Sequence, residues 1–204
     1  MLLDEIKLPV QERSKQRLKQ VIDTTIEMIE KNGIENCSIP NIAISSNLPK
    51  TFIYQYFPTI NHLFIILVKR YLDALQHYVV FKSKTYENQT IYKILKDLIH
   101  SVAGFYNGNK AASILILGGP VHVDGFSLQE VVIEKISHDL LIIVSQNTQP
   151  LKLSSPEQMT YLVEMVFALM KHSFYKYQFI TEEIQNEAIL ICDLYLQHKN
   201  HKIH

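Results

Sequence analysis

Residues 38–57 read Ser-Ile-Pro-Asn-Ile-Ala-Ile-Ser-Ser-Asn-Leu-Pro-Lys-Thr-Phe-Ile-Tyr-Gln-Tyr-Phe, the pattern of two short helices joined by a tight turn. Ser38 suits the N-cap, because its hydroxyl can accept a hydrogen bond from a backbone N–H group of the first turn. Asn47 stands where the first helix should end, and asparagine enters the left-handed conformation of a helix C-cap more readily than most residues. Leu48 is then the apolar plug of the turn, and Pro49 fits the first position of the next helix. The stretch therefore predicts a helix-turn-helix.

The second helix of this motif is expected to run through Lys50 to Tyr56 and to carry two kinds of side chain. Its apolar residues cannot all face one core, and the remaining arc holds a cation, two hydroxyls and an amide. A short exposed helix of this kind suits contact with a DNA groove, because it offers hydrogen-bond donors to phosphates and an amide to base edges. The residues on that arc are Lys50, Thr51, Tyr54 and Gln55.

Several motifs occur in a fixed order around this stretch: an amphipathic helix ending at Gly33, then Ser38-Ile39 followed by Ile42-Ala43, the plug Leu48, and Ile53-Tyr54-Gln55-Tyr56-Phe57-Pro58 followed by Leu63. In these features residues 13–68 resemble the TetR family of transcriptional regulators. An apolar residue followed by Tyr-x-Tyr-Phe is the most specific part of that pattern.

Three positions depart from the family pattern. Thr51 and Phe52 stand where a small residue, often glycine, is usually followed by threonine or serine, and Ile60 stands where a phosphate-contacting lysine is common. These departures affect individual contacts and suggest an operator sequence different from those of better-matched members.

The resemblance implies a function and a set of DNA-contacting residues. It implies a regulator, most often a repressor, that binds a palindromic operator in double-stranded DNA as a homodimer and is released by a small-molecule effector. Tyr54, Gln55 and Tyr56 match positions that face DNA, and Lys50 and Thr51 match the leading contacts of the recognition helix. With the cap and the residue that opens the helix, the expected DNA-binding set is Ser38, Pro49, Lys50, Thr51, Tyr54, Gln55 and Tyr56.

Charge is balanced over the whole chain but not locally. Twenty Lys and Arg residues face twenty Asp and Glu residues, so the chain is not the basic body of a nonspecific nucleic-acid binder. Arg13, Lys15, Arg17 and Lys19 nevertheless cluster where the first helix begins. This cluster is either a solvated helix start or a set of phosphate contacts, and the sequence leaves both readings open.

Composition and periodicity predict an all-α protein of about nine helices. Only six Gly and seven Pro interrupt 204 residues, and apolar residues recur at helical spacing along most of the chain. We expect a flexible leader at residues 1–12, a helix-turn-helix DNA-binding domain at 13–58, and a ligand-binding and dimerisation domain at 59–204.

Three details of the C-terminal domain can also be predicted. Residues 110–117 are nearly all apolar, so we expect a short buried helix there. A further helix is expected to begin around Ser127, and Thr181 is expected to cap the last helix.

The last two helices, from about residue 155 onward, are apolar over more than half of their circumference. This width indicates a partner surface, and the resemblance implies that both helices pair with their copies in a four-helix bundle. The alternative is that the excess apolar surface packs on the preceding helices.

An effector site is expected between the helices of the C-terminal domain. Few charges lie in the middle of these helices, so a bound molecule would be mainly hydrophobic. The candidate lining residues are Phe105, Tyr106, Phe126, Phe167, His172 and Tyr175. The competing interpretation is that such large residues only fill a core.

Other chemistry receives little support. No nucleophile, base and oxyanion site occur in recognisable form, and no glycine-rich phosphate loop is present, so we expect neither an enzyme nor a cofactor. Metal binding by His198, His201 and His204, a ligand site at His122 and Asp124, and an oxidant-sensing Cys37 remain less favoured alternatives.

The sequence also predicts a cellular location and leaves one alternative class of protein open. No stretch of 18 apolar residues occurs, and the two cysteines are far apart, so we expect a cytoplasmic protein without a membrane partner. The rival class is an all-helical ligand-binding or adaptor protein without specific DNA binding.

Overall fold

The structure is a computed structural model that describes residues 2–7, 9–79, 86, 89–118, 122–147, 151 and 153–201, without the side chains of residues 2, 200 and 201. Within these residues the chain forms ten α-helices and no strand, which confirms the all-α prediction. The helix beyond the nine expected is a four-residue helix, Leu2–Glu5, in the segment predicted as a leader.

The helices are numbered in chain order. They are α1 Leu2–Glu5, α2 Glu12–Asn32, α3 Ile39–Ser45, α4 Lys50–Tyr56, α5 Ile60–Tyr78, α6 Ile91–Gly108, α7 Lys110–Ala112, α8 Val123–Ser145, α9 Glu157–Tyr177 and α10 Glu182–His201. A 3-10 turn, Ile34–Asn36, lies between α2 and α3, and a π-helical turn, Ser113–Leu117, continues α7. In the described residues, no single helix has both the length and the apolar character to cross a membrane; the bent pair α4 and α5, 61° apart, meets those two criteria together.

Contacts divide the chain into two compact units. The head comprises Met1–Tyr71 and Asn109–Leu128, and the body comprises Leu72–Gly108 and Gln129–His204. Helix α5 therefore contributes its first part to the head and its last part to the body.

The core of the head is formed by α2, α3, α4 and the start of α5. Its centre consists of side chains that are completely buried, because the apolar residues of each short helix recur on one face. These are Val21, Ile42, Ile53, Phe57 and Leu63. Helices α3 and α4 have seven residues each and are too short to be stable alone, so this burial is what holds the helix-turn-helix together.

The turn between α3 and α4 has the predicted left-handed residue. Asn47 has φ of 52°, and the N–H group of Leu48 donates to the carbonyl of Ala43 at 3.0 Å. The Gln20 side-chain amide of α2 donates to the carbonyl of Ser46 at 2.7 Å, so a carbonyl left free at the end of α3 is satisfied. These bonds fix the direction in which α4 leaves the turn.

Replacing Asn47 tests this turn, because the left-handed region excludes β-branched side chains. We expect Asn47→Val to lower the free energy of unfolding of the head by about 1–2 kcal/mol. Asn47→Gly is the matched control and should be neutral or slightly stabilising, since glycine reaches positive φ freely. Urea denaturation followed by circular dichroism measures both, and equal losses would contradict a left-handed Asn47.

The segment that follows α6 returns to the head and contains a change of helical pitch. The predicted short buried helix over residues 110–117 is present, but after Ala112 it widens into a π-turn in which the Gly118 N–H group donates to the Ser113 carbonyl at 3.0 Å. A Cβ atom on Gly118 would lie 2.5 Å from the carbonyl oxygen of Ile114, so only glycine fits there. The Lys110 ammonium donates to the Glu30 carbonyl near the end of α2.

Helix α8 begins four residues before the predicted start at Ser127. The reason is a histidine cap: the Asp124 N–H group donates to Nδ1 of His122 at 3.2 Å, and the His122 carbonyl accepts from Gly125 at 2.9 Å. His122 and Asp124, which the sequence offers as a possible ligand pair, are therefore engaged in starting a helix.

In the body, α10 packs against both α6 and α9. The Asn107 side-chain amide joins the end of α6 to the turn between α9 and α10, donating to the Ile180 carbonyl at 2.9 Å and accepting from its N–H group at 2.7 Å. Thr181 caps α10 as predicted, because its hydroxyl accepts from the Ile184 N–H group at 3.2 Å.

Candidate nucleic-acid interface and ligand cavity

Helix α4 presents a polar exposed face opposite an apolar buried one. Four of its five predicted contact residues, Lys50, Thr51, Tyr54 and Gln55, are exposed, as is Pro49 before them. Pro49 is the N-cap of the helix, with φ of −60° and ψ of 133°, instead of its first residue as predicted. Proline fixes φ but leaves ψ free, so an extended Pro49 starts the helix one residue later.

Tyr56 lies elsewhere. The sequence places it toward DNA, but only 9% of it is exposed, and its ring packs edge-on against Phe52 with ring centroids 5.2 Å apart. The physical reason is its position on the side of α4 shared with the completely buried Ile53. Tyr56 is therefore part of the head core and lies outside the exposed face of α4.

Ser38 has the predicted capping role. Its hydroxyl accepts a hydrogen bond from the Asn41 N–H group at 3.3 Å at the first turn of α3, and the side chain is half-buried. A phosphate contact by this residue stays a prediction.

The basic cluster at the start of α2 separates into two environments. Arg13, Lys15 and Lys19 are exposed, and Lys15 pairs with Glu12 at 3.5 Å across solvent-accessible surface. Arg17 is half-buried, and its guanidinium carbon lies 4.3 Å from the centroid of the Phe52 ring on α4. The sequence does not separate Arg17 from its neighbours, because nothing in the run identifies a partner on another helix.

The body contains an apolar cavity of about 50 Å³. Its lining comes from α6, α8, α9, α10 and the residue after α5, and no described lining residue is charged. The lining residues are Val79, Leu95, Leu98, Ile99, Val102, Ile136, Leu140, Leu162, Val163, Val166, Phe167 and Cys192.

Of the six predicted effector residues, Phe167 lines this cavity. Two others stand behind it in a chain of rings: Tyr106 contacts Phe167 with centroids 6.3 Å apart, and Phe105 contacts Tyr106 at 5.5 Å. Tyr106 is completely buried, and burial raises the pKa of its phenol well above the ordinary value. These three residues form the buried aromatic wall of the body.

The other three predicted effector residues are on the surface. Phe126 is 49% exposed and Tyr175 is 83% exposed, and His172 is also exposed. His172 and Tyr175 are three residues apart and so lie on one outer face of α9, whereas Phe167 points inward. The prediction that Phe126, His172 and Tyr175 line the cavity is therefore wrong.

Comparison with solved structures gives the fold. A TetR-family transcriptional regulator from Streptomyces coelicolor is 17% identical, with a TM-score of 0.60 over 90% of this chain and 99% of that one. A TetR transcription regulator from Haloarcula marismortui is 12% identical, with a TM-score of 0.64 over 90% and 98%. This chain has the TetR-family fold.

A third structure with the same fold is the multidrug binding protein EbrR complexed with imidazole. It is 13% identical, with a TM-score of 0.66 over 91% of this chain and 95% of that one. No protein-family model and no curated protein matches the sequence. The likeness to the TetR-family fold thus rests on the course of the backbone and on the short motifs around α3 and α4.

Both cysteines within the TetR-family fold are free and buried. The Cys37 thiol donates to the Gly33 carbonyl at 3.6 Å, and burial, followed by the charge of Glu35, raises its pKa. Burial, followed by Asp193, raises the pKa of Cys192 to about 12. Because the thiolate is the reactive form, a buried thiol with a raised pKa does not favour the alternative of an oxidant-sensing Cys37.

Metal-ligating side chains do not gather in the described residues, where no group of three His, Cys, Asp or Glu could hold an ion. Of the three histidines in the less favoured tail site, His198 is exposed, and the His201 side chain and His204 lie outside the described residues.

Two structural features could not be found from the sequence. The cavity lining is almost wholly aliphatic, and aliphatic residues at helical spacing have the same pattern whether they fill a core or border a gap. Arg17 and Phe52 are 35 positions apart in the sequence and lie on different helices, so no local sequence signal indicates their contact.

Proposed function

We propose that this protein is a DNA-binding transcriptional regulator, a repressor that binds a palindromic operator as a homodimer and is released by a small, mainly hydrophobic effector. The observation that carries the proposal is the geometry of α4. Lys50, Thr51, Tyr54 and Gln55 form an exposed polar face, and the buried Ile53 anchors the opposite side. Such a face supplies phosphate donors and a base-reading amide on a rigid support.

Dimerisation is proposed through α9 and α10. Both helices carry large exposed apolar residues on their outer surfaces, namely Tyr161 (58%), Tyr175 (83%), Leu190 (50%) and Leu194 (56%). Clusters of exposed apolar residues are typical of interfaces between subunits. A homodimer that reads a palindrome presents its two recognition helices about 34–36 Å apart, or at a longer spacing, and we propose that α9 and α10 supply the two-fold interface.

The apolar cavity in the body supports the effector part of the proposal. A charged or strongly polar ligand would lose its hydration there without gaining a partner, so the site favours hydrophobic molecules. EbrR, which has the same fold, is a multidrug binding protein. Release from DNA requires that the effector bind the DNA-incompetent state more tightly than the DNA-competent one.

Lys50→Ala tests the phosphate role of α4. We expect weaker binding to every DNA sequence, and a slope of log affinity against log salt reduced in magnitude by about one. Fluorescence anisotropy between about 50 and 200 mM salt measures this on a selected genomic fragment and on a scrambled fragment. Lys96→Ala, an exposed lysine of α6, is the control and should change neither quantity. An unaltered slope for Lys50→Ala would remove Lys50 from the interface.

Gln55→Ala tests base readout. Its loss should reduce discrimination at a single base pair by about 1–3 kcal/mol, with an unchanged salt slope, because an amide contributes direction without charge. Competition among fragments that carry all four base pairs at each operator position measures the discrimination. A variant that discriminates like the unmodified protein at every position would show that Gln55 does not read bases.

A further inference from the structure

Arg17, Phe52 and Tyr56 form a stack that joins α2 to α4. The Arg17 guanidinium carbon lies 4.3 Å from the centroid of the Phe52 ring. The Phe52 ring meets Tyr56 edge-on, with centroids 5.2 Å apart and 67° between the ring planes. Tyr56 is in turn part of the buried core of the head. A cation on α2 is thus connected through two rings of α4 to the centre of the head.

This stack matters because α4 is short and has no side-chain cap. The helix has seven residues, too few to be stable alone, and its N-cap is Pro49, whose side chain cannot accept a capping hydrogen bond. On its inner side Ile53 and Tyr56 are buried, but Phe52 is only half-buried. The covering of Phe52 therefore adds a contact that limits rotation of α4 about its long axis, beside the burial of Ile53 and Tyr56.

The environment of Arg17 also differs from that of the other cations in its cluster. Its neighbours Lys15 and Lys19 are exposed, whereas Arg17 is half-buried against the ring. Among the described residues, no carboxylate forms an ion pair with Arg17. A planar guanidinium covers an aromatic face better than an ammonium does, so this position favours arginine over lysine.

We propose that Arg17 is a positioning residue for DNA binding, which holds helix α4 in its binding orientation through Phe52 and does not itself contact a phosphate. The inference rests on the proposed function and assigns one member of the basic cluster a role different from the others. The phosphate contacts of the cluster then fall to Arg13, Lys15 and Lys19, whose side chains are exposed.

The first test uses the full-length protein without DNA. Hydrogen exchange of peptides that cover residues 50–56 reports how firmly α4 is held. We expect Arg17→Gln to speed exchange in this segment several-fold and to leave peptides of α9 unchanged. Lys19→Gln, two positions away and exposed, is the control and should exchange like the unmodified protein. If α4 of Arg17→Gln exchanges its amide hydrogens at the same rate as α4 of the unmodified protein, the proposal is overturned.

The second test uses a selected genomic fragment and measures affinity at several salt concentrations. Arg17→Gln and Phe52→Leu should each weaken binding about three- to tenfold. The double variant should bind DNA with the affinity of whichever single variant binds less tightly, because both changes remove the same contact. The slope of log affinity against log salt should equal that of the unmodified protein. Arg17→Lys should restore part of the affinity. A slope reduced in magnitude by about one for Arg17→Gln, with additive effects, would identify Arg17 as a phosphate ligand and overturn the proposal.

Failure of this inference and failure of the proposed function are distinguishable. A folded protein that selects no DNA fragment contradicts the proposed function, and with it any DNA-positioning role. A protein that selects DNA while Arg17→Gln binds it with unmodified affinity contradicts the inference alone.

Discussion

Ile53→Ala is expected to lower the free energy of unfolding of the head by about 2–5 kcal/mol. Ile53 is completely buried at the centre of the helix-turn-helix, where α4 meets α2 and α3. Truncation removes apolar burial and leaves a cavity that two short helices cannot close by small shifts. Urea denaturation followed by circular dichroism measures the loss, and DNA binding should fall with it.

The adjacent residue gives the matched control. Tyr54 is 44% exposed on the opposite side of α4, so Tyr54→Ala should change the free energy of unfolding by no more than about 0.5 kcal/mol. Its affinity for a selected fragment should nevertheless fall roughly three- to tenfold, the size of one lost hydrogen bond. Destabilisation of similar size in both variants would contradict the division of α4 into a buried and a DNA-facing side.

Phe167→Ala is the second large effect, with an expected loss of about 3–5 kcal/mol in the free energy of unfolding of the body. Phe167 is 3% exposed, contacts Tyr106 and borders the apolar cavity. Removing the ring loses the free energy of burying it. The space that the ring filled then adds to the apolar cavity of about 50 Å³. Thermal and urea denaturation measure the loss.

A control and a ligand experiment accompany this prediction. Tyr92→Ala, on the exposed side of α6, should stay within about 0.5 kcal/mol of the unmodified protein. The cavity of Phe167→Ala should be larger than that of the unmodified protein and still apolar. Benzene should bind there and raise the free energy of unfolding of the variant, because a ligand that binds only the native state stabilises it. Phe167→Ala with undiminished stability would show that the ring is not packed in the core.

The helix-turn-helix could be predicted in detail because its signals are local. The Ser38 cap and the left-handed Asn47 each depend on residues within one turn, and the structure has both. The same holds for Thr181 at the start of α10. The start of α8 at Val123 also depends on a local signal, the cap by His122. Because histidine is an uncommon cap, the sequence predicts a later start.

The cavity could not be predicted because it is a property of packing between distant segments. Its walls come from four helices that are separate in sequence, and the gap depends on their spacing. Aromatic size alone suggested His172 and Tyr175, but the face of α9 that each occupies depends on the neighbours of that helix. The burial of Tyr56 could not be predicted for the same reason, because a tyrosine on a short helix suits both a core and a DNA surface.

The central claim is that the exposed face of α4 recognises a specific DNA sequence. The most direct measurement is to determine which fragments of the host genome the purified full-length protein retains at physiological salt with nonspecific competitor present. We predict recovery of a short palindrome, and a relaxed base preference at one position of each half-site in Gln55→Ala. No enrichment over competitor, from protein that is folded, dimeric and shown by mass spectrometry to hold no effector, would contradict the claim and favour a helical ligand-binding or adaptor protein.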